Sequence, residues 1–224
     1  MPRTGPRDQV LQTPRAAGLA GIVFALLLAA AIILIRLGIP EGTDEFTQGL
    51  TDPTKRKAVR TALALVPFAG ICFLWLLGVV RAHVGDAEDK FLATVFLGSG
   101  LVFIAAMFAA AAAGGAVLAT PRSTGGGTAL PTWDFGRHFA YTMMIEYSMR
   151  MASVFTCSLS VIGHRLGILP RWLTVLGFLT ALILLFVAPG VAWAELVFPA
   201  WTLLLSAYIF AASGHRGPAA TVAP

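Results

Sequence analysis

The chain has 224 residues, of which 57% are hydrophobic and 12% charged, and it carries a net charge of +5. Soluble domains hold about 25% charged residues, so this composition excludes an ordinary soluble globule and points to lipid as the solvent. The basic excess lies in short connections and chain ends, where membrane proteins keep their topology signals, and no basic stripe interleaved with aromatics reads as a nucleic-acid surface.

Residues 1–15 are polar, include Pro2, Pro6 and Pro14, and are expected to be disordered. "AAGLAGIVFALLLAAAIILI" follows and is long enough for a helix to cross about 30 Å of hydrocarbon. A cleaved signal peptide fits less well, because Ile32 to Ile35 continue the run past any Ala-x-Ala site. The first span is therefore set at about 16–36. Asp52 and Pro53 read as the cap and first position of the next helix. They lead into a second span over about 59–82 that Pro67 should kink.

A short turn through Asp86, Glu88 and Asp89 opens a third span, about 91–118. Its small residues Gly98, Gly100, Ala109 and Gly115 let helix backbones approach closely. They mark a candidate contact with a second copy or another membrane protein. Asp134 is expected to cap a fourth helix over about 135–162, ended by Gly163. Pro170 introduces a fifth span, about 171–189. A sixth runs over about 196–213, with Pro199 in its first turn, and residues 214–224 form a tail expected to be disordered.

The predicted fold class is all-α: a polytopic membrane protein, a bundle of about six transmembrane helices in one domain over 16–213. No internal repeat supports an inverted-repeat transporter. An even number of spans puts both termini on one side. Counting Lys and Arg in the loops gives eight with the termini (Arg3, Arg7, Arg15, Arg81, Lys90, Arg165, Arg171, Arg216) against seven opposite. This narrow margin favours cytoplasmic termini.

The fourth helix stands apart. At roughly 100° per residue, Thr142, Glu146, Arg150, Ser153, Cys157, Ser160 and His164 fall within about 80° of arc. Such a seam is expected to face the bundle interior or a wet cavity, because a charge at the bilayer centre costs about 2.5–3.5 kcal/mol. Glu146 and Arg150 stand i to i+4 with the acid first, the better order for an intrahelical pair. Two readings follow: a ligand or proton site built from Glu146, Arg150, Ser153, Cys157 and Thr142, or a structural staple between helices. Arg137, Glu195 and Tyr141 would share a vestibule with that site, although solvated interfacial charges are the favoured reading of Arg137 and Glu195.

Cys72 and Cys157 both lie in apolar runs and lack metal-ligand spacing. His83, His138, His164 and His215 sit at helix ends or in the tail, away from the mid-span positions of haem ligands. No cofactor, metal or enzyme motif is therefore expected.

The stretches "LVPFAGICFLWLLGVVR", "GDAEDKFLATVFLGSGLVF", "RMASVF", "LGILPRWLTVLG" and "ELVFPAWTLLLS" together resemble a group of uncharacterised bacterial integral membrane proteins. The likeness covers most of residues 60–208 in the same order. It implies a bacterial inner-membrane location and a compact bundle, and it carries over no activity and no site residue. The residues leave three functions open: binding or translocating a small solute or proton along helix four, a non-catalytic scaffold held to partners through small-residue helix faces, and, ranked last, a lipid-modifying enzyme for which only Asp134, Arg137 and Glu195 come close to a headgroup-level cluster.

Overall fold

Lipid offers no partners to backbone N–H and C=O groups, and a helix satisfies them within one segment. A computed structural model describes residues 13–38, 52–84, 90–119, 129–188, 190–191 and 193–214, and among them the chain forms helices and turns without a strand. Helix α1 is Thr13–Gly38, α2 is Pro53–Val84 and α3 is Lys90–Ala119. Then comes one continuous rod. It comprises α4 (Ala129–Tyr141), a π-helical segment (Thr142–Ser148) and α5 (Met149–Arg165), with right-handed helical dihedrals at both junctions. Helix α6 (Arg171–Leu182) is prolonged by π-helical turns over Ile183–Val187. A 3-10 turn, Ala194–Leu196, leads into α7 (Val197–Gly214).

Four stretches are long and apolar enough to cross a membrane: Ala16–Leu37, Pro53–Ala82, Lys90–Ala119 and Ala194–Ala212. The chain is an all-α membrane protein. The rod has ample length but carries charge and hydroxyls. The apolar Arg171–Val187 stretch, at 1.5 Å per residue, reaches only about 26 Å against about 30 Å of hydrocarbon.

Local chemistry sets the helix ends. Asp52 Oδ1 accepts the Thr54 N–H at 2.8 Å, with Pro53 in the first helical position, as the sequence predicts. Helix α2 starts there, six residues ahead of the expected span, and runs unbroken through Pro67. At the other end of the rod, Gly167 adopts φ 65°, its N–H donates to the His164 carbonyl at 3.1 Å, and the Ile168 N–H donates to the Gly163 carbonyl at 3.0 Å. That is a Schellman stop, which needs the left-handed backbone glycine tolerates.

Three expectations change. Gly163 does not end its helix, which continues to Arg165. Gly163 is instead the seat of the Leu169 side chain, which a Cβ there would overlap. Asp134 does not cap the fourth helix, which begins at Ala129 and carries Asp134 in its interior. The segment expected to be disordered over 1–15 ends in helix from Thr13; residues 1–12, the acidic turn at 85–89 and residues 215–224 lie outside the described residues.

The core is a phenylalanine hub fed by five helices. Phe24 of α1 meets Phe73 of α2 at 4.8 Å between ring centroids, and Phe73 meets Phe103 of α3 at 5.2 Å. Phe155 of α5 stacks on Phe96 at 5.0 Å, and Phe198 of α7 closes on Phe103 at 5.1 Å. All six rings are buried. Their tilted and edge-on contacts are worth about 0.5–1.5 kcal/mol each beyond area burial.

Around the hub, α1 and α7 pack antiparallel through glycines: Gly18 against the Phe210 backbone and Gly21 against Ser206. Helix α3 and the rod are also antiparallel. Gly136 lies under Val117, Ser148 donates to the Phe103 carbonyl at 3.4 Å, and Phe155 meets Gly100 and Phe96. The small residues of α3 therefore divide. Gly100 is closed over by Leu77 and Phe155, whereas space is open at Gly98 and Gly115.

Candidate functional site

The register of the rod against α3 sets the depth of its charges. Ser148 contacts Phe103, close to the middle of the thirty-residue α3. Glu146 and Arg150 lie two residues to either side of Ser148, roughly 3 Å along the axis at 1.5 Å per residue. The pair thus straddles the middle of the longest apolar helices. Arg150 Nη1 donates to the Glu146 carboxylate and also to the Glu146 backbone carbonyl, the latter at 3.0 Å.

Glu146 belongs to the π-helical segment Thr142–Ser148. There the backbone bonds run i to i+5 instead of i to i+4, so a uniform 100° wheel does not hold across the upper half of the seam. Widened turns of this kind occur mostly as brief insertions in α-helices, often at functional positions.

The two charged side chains remain part-exposed, Arg150 at 42% and Glu146 at 36%. The expectation that the whole seam faces inward therefore holds only below them. Ser153 is buried and donates to the Ala181 carbonyl of α6 at 2.7 Å. Ser160 is buried against Gly177. Thr142 and Cys157 are half-buried, and His164 is exposed. The seam starts as a part-exposed acid–base pair, is buried against α6 at Ser153 and Ser160, and ends exposed at His164.

The residues expected to form a vestibule differ in their surroundings. Tyr141 is exposed and stands about 8 Å up the rod from Glu146, and Arg137 is half-buried near the Val117 end of α3, about 13 Å up at 1.5 Å per residue. Glu195 is not a solvated interfacial charge. It is 1% exposed, and its Oε1 accepts from Arg36 Nη2, whose side chain is 10% exposed. Its second oxygen, Oε2, is buried without a hydrogen-bond partner among the described residues. The chain reaches Glu195 by a tight path: Trp193 takes φ 71°, the Ala194 N–H donates to the Val191 carbonyl at 3.2 Å, and the Leu196 N–H to the Trp193 carbonyl at 3.0 Å.

The Arg36–Glu195 pair is what residue-by-residue reasoning missed. Its signal was available: Glu195 is a single acid inside "VAWAELVFPAW", and Arg36 is a single base at the end of an apolar run. A second missed feature is a set of buried hydroxyls, Thr156, Ser160 and Ser206, with no hydrogen-bond partner among the described residues. Two of them abut glycines, Ser160 at Gly177 and Ser206 at Gly21. Close backbone approach of this kind is how membrane helices pack without a hydrophobic driving force between them.

Among the described residues no group of histidine, cysteine and carboxylate side chains is arranged to hold a metal. Compared with protein-family models, curated proteins and solved structures, the chain matches none.

Proposed function

We propose that this membrane protein binds a small polar solute or a proton at the Glu146–Arg150 pair, within the thickness of the bilayer. One observation carries the reading: an acid–base pair stays part-exposed midway along a membrane-length rod, where π-helical turns carrying Glu146 pass into the α-helix carrying Arg150. Ionisable groups at that depth are expensive and mark ligand or proton pathways. A purely structural staple would bury its charges against neighbouring helices, as Arg36 and Glu195 do. Glu146 offers the proton-carrying group, Arg150 holds its charge in place, and Thr142 and Cys157 flank the pair on the seam.

Purified protein in liposomes tests this. Glu146→Gln should abolish proton or solute uptake while the protein still folds and purifies from detergent as wild type does. Wild-type flux in that variant sinks the reading.

A second reading, an accessory subunit of a membrane assembly, draws on the open space at Gly98 and Gly115 of α3. Gly115→Leu should then release a co-purifying protein, and an intact assembly would count against it. Both readings go with an inner-membrane location in a bacterium and cytoplasmic termini, supported by the resemblance noted in the sequence and by the narrow excess of Lys and Arg on the side of the termini.

A further inference from the structure

We infer that the Glu146–Arg150 site is reached by water and solute from the membrane face at which α1 ends, down a recess left open by the short helices α6 and α7. The inference rests on the site proposed above and names the side from which it is entered. Neighbour contacts run in a ring: α1 packs on α2, α2 on α3, α3 on the rod, the rod on α6, α6 on α7 and α7 on α1. The phenylalanine hub gives these helices a common level. Beyond it, toward the face where α1 ends, α1 continues for about 21 Å, α2 for about 30 Å and α3 for about 24 Å at 1.5 Å per residue. From Ser148, which donates to Phe103, the rod continues for about 28 Å. Helix α7 differs: from Phe198 to the start of its 3-10 turn at Ala194 is about 6 Å. Helix α6 is as short. Ser153 of the rod donates to the Ala181 carbonyl, and the π-helical turns end at Val187, about 9 Å further on.

The ring is thus closed around the hub and open above it on the α6–α7 side. Glu146 stands about 10 Å beyond Ser153 along the rod, level with the end of α6. Ser153, Arg150 and Glu146 follow one stripe of the rod at helical spacing, and the Ser153 bond fixes that stripe against α6. The stripe passes from cover to opening at the pair, which accounts for the part exposure of both charges. Contacts of the rod agree: α5 packs on α3 and α6, whereas α4 and Thr142–Ser148 pack on α3. The floor is the α6–α7 connection. Val191 and Trp193 on it are exposed, and a floor packed under other helices would bury them. Glu195 follows in the 3-10 turn with its Oε2 unpartnered among the described residues, so the floor holds a second carboxylate with an acceptor to spare. Below the pair the way is shut, because Ser153 and Ser160 are buried against α6 and the six hub rings are buried. Water in the recess solvates charges that lipid tails at this depth would leave bare. Entry is one-sided.

The test uses the full chain in sealed vesicles and a charged, membrane-impermeant methanethiosulfonate reagent, which modifies thiols that water reaches. In a chain lacking Cys72 and Cys157, Leu37→Cys and Phe91→Cys define the two faces. Thr142→Cys and Glu146→Cys should each be modified from the face that labels Leu37→Cys. Neither should be modified from the face that labels Phe91→Cys. Ser153→Cys, under the cover of α6, should stay unmodified from both. Thr142→Cys keeps both charges of the pair, so the test stands even where Glu146→Cys does not fold.

Modification of Thr142→Cys from the Phe91 face, or from neither face, overturns the inference. So does modification of Ser153→Cys as fast as Thr142→Cys. The proposed activity fails by a separate result. Wild-type flux in Glu146→Gln removes that activity, and the recess still stands if Thr142→Cys labels from the Leu37 face. Lost flux in Glu146→Gln, with Thr142→Cys unmodified from both faces, keeps the activity and removes the recess.

Discussion

At the level of single residues, the two acid–base pairs make a contrast that sets their roles apart. Glu195 is 1% exposed and reaches Arg36 across helices, from the start of the α7 segment to the end of α1. Taking one partner away leaves the other charge in the interior, a loss of about 3–5 kcal/mol. Glu195→Ala and Arg36→Met are each expected to lose about that much in unfolding measured in detergent. The double variant Arg36→Met with Glu195→Leu should recover most of it, because an apolar pair of similar volume removes both desolvation penalties at once. If the double variant is as damaged as the singles, the pair is doing more than holding two helix ends together. The Glu146–Arg150 pair couples adjacent turns of one rod and ties no helices together, so its neutralisation should register in function before stability.

At the level of elements, close approach between helices rests on glycines that the sequence places opposite small hydroxyl residues. Gly177 of α6 faces the Ser160 hydroxyl of α5, with the Trp201 indole of α7 at 3.1 Å from where a Cβ would stand. Gly177→Ala should cost about 1–3 kcal/mol through overpacking. Ser160→Ala in the same chain should return a measurable part of that loss, since the closest atom is gone. Additivity between the two, in a double-mutant cycle of unfolding, would show that Ser160 is not what the new methyl meets.

The elements also show how far the sequence could be read. Apolar run length gave the number and order of the helices, because the cost of exposing backbone to lipid leaves a run of that length little alternative. Asp52 and Pro53 were legible as a start because capping is local chemistry. The end at Gly167 was misplaced to Gly163 because both are glycines near the same polar turn, and only the packing of Leu169 separates them. The i to i+4 spacing of Glu146 and Arg150 was legible, and the ion pair forms. The π-helical register around it was not, because no residue type in "TMMIEYS" demands it. Arg36 and Glu195 are 159 residues apart, and no periodicity within one segment reports a contact of that range.

At the level of the whole molecule, the contacts between helix ends fix a topology that labelling can check. Arg36 with Glu195 joins the end of α1 to the start of α7, and Arg56 Nη2 donates to the Leu118 carbonyl at 2.9 Å, joining the start of α2 to the end of α3. Gly136 under Val117 brings the upper rod to the same face. Leu37 and Val191, both exposed, therefore belong to one membrane surface, and Phe91 and Trp172, also exposed, to the other. Single cysteines at these four positions, in a chain lacking Cys72 and Cys157, should split into two pairs under a membrane-impermeant maleimide. Leu37→Cys and Val191→Cys should label from one side of sealed vesicles, and Phe91→Cys and Trp172→Cys only from the other or after permeabilisation. The Val191 result is the sharper one. The apolar Arg171–Val187 stretch reaches only about 26 Å at 1.5 Å per residue, so Val191 arrives at the surface only if the bilayer thins or the loop after it climbs. Labelling of Val191→Cys from the Phe91 side would mean that α6 enters and returns without crossing. The bundle would then have an odd number of crossings and its termini would lie on opposite sides.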